Sequence, residues 1–220
     1  MVFDGEGRPV AAMLRPARRP SGAEAHAFLR RLVREIRSHW PRVKILIRAD
    51  SHYCAPEVLD FCRAERLDFI LAVASTTTLR RHVQALETNT AARYAAASNA
   101  GKQRRYTEFY DGAGSWSRVE RIIARVEAGP DGVDTRFVVT NLAGGTPRRL
   151  YERNYCQRGQ AEIWPAWCVS RCIVGRGMGG TLHSALPQAL EVGWVGTDEP
   201  QTVAQNLHLT RGDHGTCQRL

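Results

Sequence analysis

Two apolar runs of strand length, residues 43–49 and 68–74, stand on either side of a stretch with helical patterning at residues 56–65. No other feature narrows the fold so far: strand, helix, strand in succession is the order of an α/β protein, whose strands lie buried beneath their own connecting helices. The first run ends on Asp50, within Arg48-Ala49-Asp50-Ser51-His52-Tyr53. The carboxyl edge of a buried strand is where open α/β sheets place their ligand sites. An Asp in that position is also a common turn or helix-cap residue.

The flanking sequence fits the same class. Residues 2–3 and 10–14, joined through Gly5-Glu6-Gly7, read as a hairpin, with Asp4 as a turn residue. Ser21 followed by Glu24 forms a capping box, and Phe28, Leu29, Leu32, Val33 and Ile36 make one apolar helical stripe that ends at Trp40-Pro41. Residues 75–97 look helical. Residues 104–110, 117–127 and 133–140 then read as three strands, the last two joined by Gly129-Pro130-Asp131-Gly132. Thr146 before Pro147 starts a further helix, because a missing N–H is harmless at the first helical position.

Charge points to a polyanionic partner. The chain has 31 basic and 22 acidic residues in 220, a formal net charge of +9, and 29 of the basic residues are Arg. All of the excess falls within residues 1–162, which hold 27 basic and 18 acidic side chains; residues 163–220 hold four of each, with eight of the 19 glycines and three of the five tryptophans. No apolar run has the length of a membrane span, and the first residues lack the pattern of a signal peptide, so a soluble cytoplasmic protein with reduced cysteines is expected.

A second carboxylate, Glu162, shares a spacing of three and four with Tyr155 and Arg158, which places all three on one face of a regular helix. Two rival motifs lie further on. Cys168, Cys172 and His183 match no common zinc spacing, and Gly175-Arg176-Gly177-Met178-Gly179-Gly180 satisfies a dinucleotide pattern ahead of a helical stretch at residues 182–192 without the usual βαβ unit.

Residues 1–162 resemble the DDE transposases of bacterial insertion sequences, in the group with a β-stranded insertion in an RNase H-like fold. The resemblance rests on the strand and turn around Arg48-Ala49-Asp50-Ser51, on Tyr155, Arg158 and Glu162 as Tyr, two spacers, Arg, three spacers, Glu, and on the three strands between Arg104 and Thr140. Residues 136–142 are similar to the exit strand of that insertion. The resemblance implies phosphoryl transfer at DNA ends, with Asp50 and Glu162 as catalytic metal ligands for Mg²⁺, Arg158 holding phosphate and Tyr155 beside it. It implies DNA and a second copy of the chain as partners, and no membrane.

The sequence departs from the family pattern in three places. The first catalytic Asp is expected on a strand upstream of residue 1; Val169 stands where a Lys follows the Glu; and Pro165, three residues after Glu162, ends the helix that should continue. The expected organisation is an α/β, RNase H-like core at residues 1–74, a helical and β-strand insertion at 75–141, the signature helix at 142–162, and an out-of-frame, poorly structured tail at 163–220. The expected function is that of a transposase fragment with little or no catalysis; the alternative is a non-catalytic, basic DNA-binding remnant.

Overall fold

The computed structural model describes residues 2–5, 9–11, 18–97, 101–156 and 190–194. They form an α/β structure around one mixed sheet of eight strands: β1 (Val2–Phe3), β2 (Pro9–Ala11), β3 (Ile45–Ala49), β4 (Asp68–Val73), β5 (Gln103–Asp111), β6 (Glu120–Gly129), β7 (Gly132–Thr140) and β8 (Leu190–Trp194). The spatial order is β2-β1-β8-β3-β4-β7-β6-β5, with β3/β4 and β1/β8 parallel and the other pairs antiparallel. The helices are α1 (Gly22–His39), α2 (Pro56–Ala64), α3 (Thr77–Ala96) and the single turn α4 (Pro147–Arg149), which runs into a π-helical segment, Leu150–Tyr155.

Local chemistry explains the element ends. Ser21 Oγ accepts the Glu24 N–H while Glu24 accepts the Ser21 N–H, so the capping box read from sequence is formed. Thr76 and Thr146 cap α3 and α4 through their side chains, and Pro56 and Pro147 occupy first-turn positions. At the β6–β7 turn, Gly132 has φ of +99°, which a residue without Cβ adopts freely. Strand β6 starts at Glu120, later than the pattern from 117 suggested, because Trp116 closes a turn onto Ala113 and Ser117 is held by Asp60 and Arg63.

Strand alternation divides the core in two. Ile45, Ile47, Ala49, Phe69, Leu71, Ile122, Ala124, Phe137 and Val139 face α1, α2 and α3, and form one cluster with the α1 stripe of Ala25, Leu29, Leu32, Val33 and Ile36. Leu46, Ile70, Ile123 and Val138 face the other way and pack under Leu150 and Tyr151. The continuous apolar runs of β3 and β4 follow from this double burial.

Two expectations need correction. Residues 190–194 form a strand, so the helical reading of 182–192 fails over its last residues; pairing with β1 and β3 outweighs a weak local pattern, and residues 182–189 lie outside the described residues. Asp4 is buried directly after β1, with the turn at Gly5. Five residues of the segment expected to be poorly structured thus sit within the sheet.

Candidate functional site

Asp50 follows β3 at its carboxyl edge, as the sequence pattern places it. One carboxylate oxygen, Oδ1, accepts the His52 N–H at 2.9 Å, an Asx turn, and the Asp50 carbonyl accepts the Tyr53 N–H at 3.2 Å. The His52 ring nitrogen Nδ1 lies 3.3 Å from the same oxygen and is buried with no hydrogen-bond partner among the described residues. Arg19 donates to the Ser51 carbonyl at 3.3 Å and ties the turn to the chain entering α1. The turn role weighed from sequence and a ligand role are compatible, since a turn of this kind fixes the orientation of a carboxylate.

Parity along β3 decides what shares that edge. Leu46 and Arg48 point to the face that the π-helical segment covers, and position 50 continues the alternation. Arg48 is only 3% exposed, and its Nη1 donates to the Asn154 carbonyl at 3.2 Å, one residue before Tyr155. Tyr155 packs on this second core cluster, its ring 5.3 Å from that of Tyr151. The strand ending at Asp50 and the segment ending at Tyr155 are therefore joined through Arg48, although 106 positions separate its two hydrogen-bonded residues.

The helical geometry differs from the regular spacing used on the sequence. The Cys156 N–H donates to the Tyr151 carbonyl, five residues back, and such bonding widens the turn so that a 3.6-residue periodicity does not carry through to Tyr155. Arg158 and Glu162 lie outside the described residues, as do Cys168, Cys172, His183 and the glycine motif at 175–180. Asp4 does not join Asp50. Phe3 is level with Arg48 across β8, and the chain leaving β1 runs toward the level of Ile47, away from Asp50.

Two residues outside the sequence-level candidates hold the approach to this segment. Asn141 extends the β4–β7 pairing with its side chain, accepting the Phe69 N–H at 2.8 Å and donating to the Leu67 carbonyl at 2.8 Å. Arg121 on β6, buried against Glu108, donates to the carbonyls of Leu142 at 2.8 Å and Gly145 at 2.9 Å. Their role rests on contacts between distant segments; an Arg within an apolar strand was the available sequence signal. Beside the segment, Tyr106 donates to Glu152 at 2.9 Å, and burial with that carboxylate pushes the phenol up to about 12. The Glu152 carboxyl is held below its usual range by hydrogen bonds from Arg148 and Tyr106.

Carboxylate oxygen is the donor type that a hard divalent cation takes, and Asp50 supplies it. No group of three or more His, Cys, Asp or Glu side chains converges among the described residues, so Asp50 needs partners from beyond them to form a metal site. Burial pushes the Cys54 and Cys62 thiols up to about 12, which leaves both as neutral packing groups. No helix among the described residues is long and apolar enough to cross a membrane.

No curated protein and no solved structure matches the chain. The family described as transposase DDE domain group 1 matches residues 1–164, about three quarters of the sequence and the whole stretch that carries the basic excess, the eight-stranded sheet apart from β8, and the Asp50 edge. The chain is a member of the DDE transposase family.

Proposed function

We propose that this chain derives from the catalytic core of a bacterial insertion-sequence transposase, acting on DNA in the cytoplasm, and that it retains little or no catalysis. The observation that carries the reading is Asp50 at the carboxyl edge of β3, two residues after Arg48, which is hydrogen-bonded to Asn154 in the segment that leads through Tyr155 toward Arg158 and Glu162. In this reading Asp50 and Glu162 would hold Mg²⁺, which when bound would offset charge on the phosphoryl oxygens during in-line displacement. Arg158 binds phosphate through its planar fork, Tyr155 borders the site, and Arg48 positions the segment. A second copy of the chain is the expected protein partner. The units at residues 1–74, 75–141, 142–162 and 163–220 belong to the same proposal.

The second reading, a basic DNA-binding remnant without chemistry, is favoured by the sequence beyond Glu162, where Pro165 is unsuited to a continuing helix and Val169 stands in place of the Lys of the family pattern. One experiment tests whether any catalysis remains. The full chain is incubated with labelled duplex DNA and Mg²⁺, and strand cleavage and filter binding are measured together. Weak cleavage that Asp50→Asn abolishes, with binding kept, supports the catalytic reading. Binding with no cleavage in either form supports the remnant; neither binding nor cleavage overturns both.

A further inference from the structure

At the amino edge of the same strands, opposite Asp50, the end of α1, the 41–44 turn and the α2–β4 connection enclose an open cleft of about 790 Å³. Its charged lining is Arg37, Arg42, Lys44 and Arg66 against Glu65 and Asp68. Arg37 is committed to Glu65, donating to its carboxylate at 2.7 Å and to its carbonyl at 2.5 Å. Arg42, Lys44 and Arg66 are exposed and make no ion pair or side-chain hydrogen bond among the described residues. With Glu65 neutralised by Arg37, three unpaired cations face one remaining carboxylate.

The backbone at Arg66 is an independent observation. Helix α2 closes with a complete Schellman motif, in which the Arg66 N–H donates to the Arg63 carbonyl at 3.1 Å and the Leu67 N–H to the Cys62 carbonyl at 2.7 Å. The motif puts Arg66 at φ of 54°, the left-handed region where glycine is the usual occupant. Leu67 and Cys62 are both buried, so the motif is anchored and the conformation is imposed on whatever residue stands there. A guanidinium is thus held over the cleft at a backbone cost that glycine avoids, and an outlier of this kind points to a task for the side chain.

We propose that this cleft is a second DNA-backbone contact, in which Arg42, Lys44 and Arg66 bind phosphates of a duplex. Five residues of β3 rise through about 16 Å, so the cleft and Asp50 cannot touch the same phosphate. Its lining is mainly polar and charged, with Pro41, Val43, Ile45 and Ala64 as a smaller apolar share, and a volume of about 790 Å³ exceeds that of one small anion. Repeated phosphodiester charge fits such a surface, and planar guanidinium forks suit its oxygens. The assignment rests on the reading of the chain as a DNA-handling protein.

The test uses the full chain and a labelled duplex of arbitrary sequence, without divalent metal, titrated between 50 and 200 mM salt. Three phosphate contacts contribute about 2.7 to the slope of log affinity on log salt, so over this range the affinity of the parent falls about 40-fold further than that of R42Q/K44Q/R66G. Arg66→Gly alone weakens binding several-fold at 50 mM while raising the melting temperature, and Arg66→Lys keeps most of the binding; a purely structural residue would move the melt only. An unchanged slope in the triple variant overturns the proposal, as does a stabilised Arg66→Gly form with parental affinity. Failure here is distinct from failure at Asp50, because metal-dependent cleavage reports on that edge alone. A parent that binds no duplex even at 50 mM overturns both.

Discussion

Glu24 shows how one side chain carries a pH signature. The Ser21 backbone N–H and the Arg18 guanidinium hold its carboxyl at about 2, below the ordinary 4.5. A folded-state value below the unfolded one means that the capping interaction stabilises the fold fully above about pH 4.5. That contribution is lost as pH falls through 4.5 toward 2. In urea titrations, Glu24→Gln is therefore expected to flatten the fall in stability across this window, with little effect on the pH dependence above 5. At Arg66 the expected sign is opposite. Replacing it by Gly relieves the left-handed strain and should stabilise the protein by about 1 kcal/mol, read as a higher denaturation midpoint at constant slope.

Among the elements, the connection from β7 into α4 bears most directly on the site. Four successive carbonyls, from Leu142 to Gly145, turn toward the Arg121 guanidinium, and Asn141 closes the preceding rung against β4. The segment that follows takes its height over the sheet from these contacts together with Leu150 and Tyr151. Arg121→Met keeps an apolar stem but removes the donors, and is expected to cost about 1–3 kcal/mol. The effect should be local: amide exchange should quicken at residues 142–150 more than in β3 or β4, and uniform quickening would refute a positioning role. The sequence indicated that a helix starts at Thr146. It could not indicate the π-helical turn, because the segment's contacts are tertiary: Tyr151 and Tyr155 pack on the sheet and Arg48 holds the Asn154 carbonyl.

At the scale of the whole molecule, β8 holds two parts of the sheet together. Hairpin β1–β2 has no other strand partner among the described residues, and β3 meets β1 only across β8. A chain ending at residue 189 would leave the β3 edge unpaired, with a row of free N–H and C=O groups open to a second strand. The shortened protein is expected to lose amide protection at residues 2–11 and to self-associate, measured by hydrogen exchange and size-exclusion chromatography. An unchanged monomer with a protected hairpin would show that β8 is dispensable. The basic excess of residues 1–162 remains in the shortened chain, so salt-sensitive duplex binding should survive as long as the fold does.

Strand, helix, strand at residues 43–74, the capping box at Ser21 and Glu24, the turn at residues 129–132 and Asp50 at a strand end were all legible in the amino-acid order. Each depends on interactions within a few residues or on the periodicity of burial, which a linear pattern preserves. The turn at Asp50, the pattern around Tyr155 and the three strands between Arg104 and Thr140 also pointed to the family that the comparison of residues 1–164 establishes. Tertiary structure alone decided which strand lies between β1 and β3, that Arg48 reaches Asn154 and Arg121 the 142–145 loop, and that Arg42, Lys44 and Arg66 gather at one edge. Those outcomes depend on pairings between residues tens of positions apart, whose free energy comes from burial and hydrogen bonding that exist only once the sheet has closed.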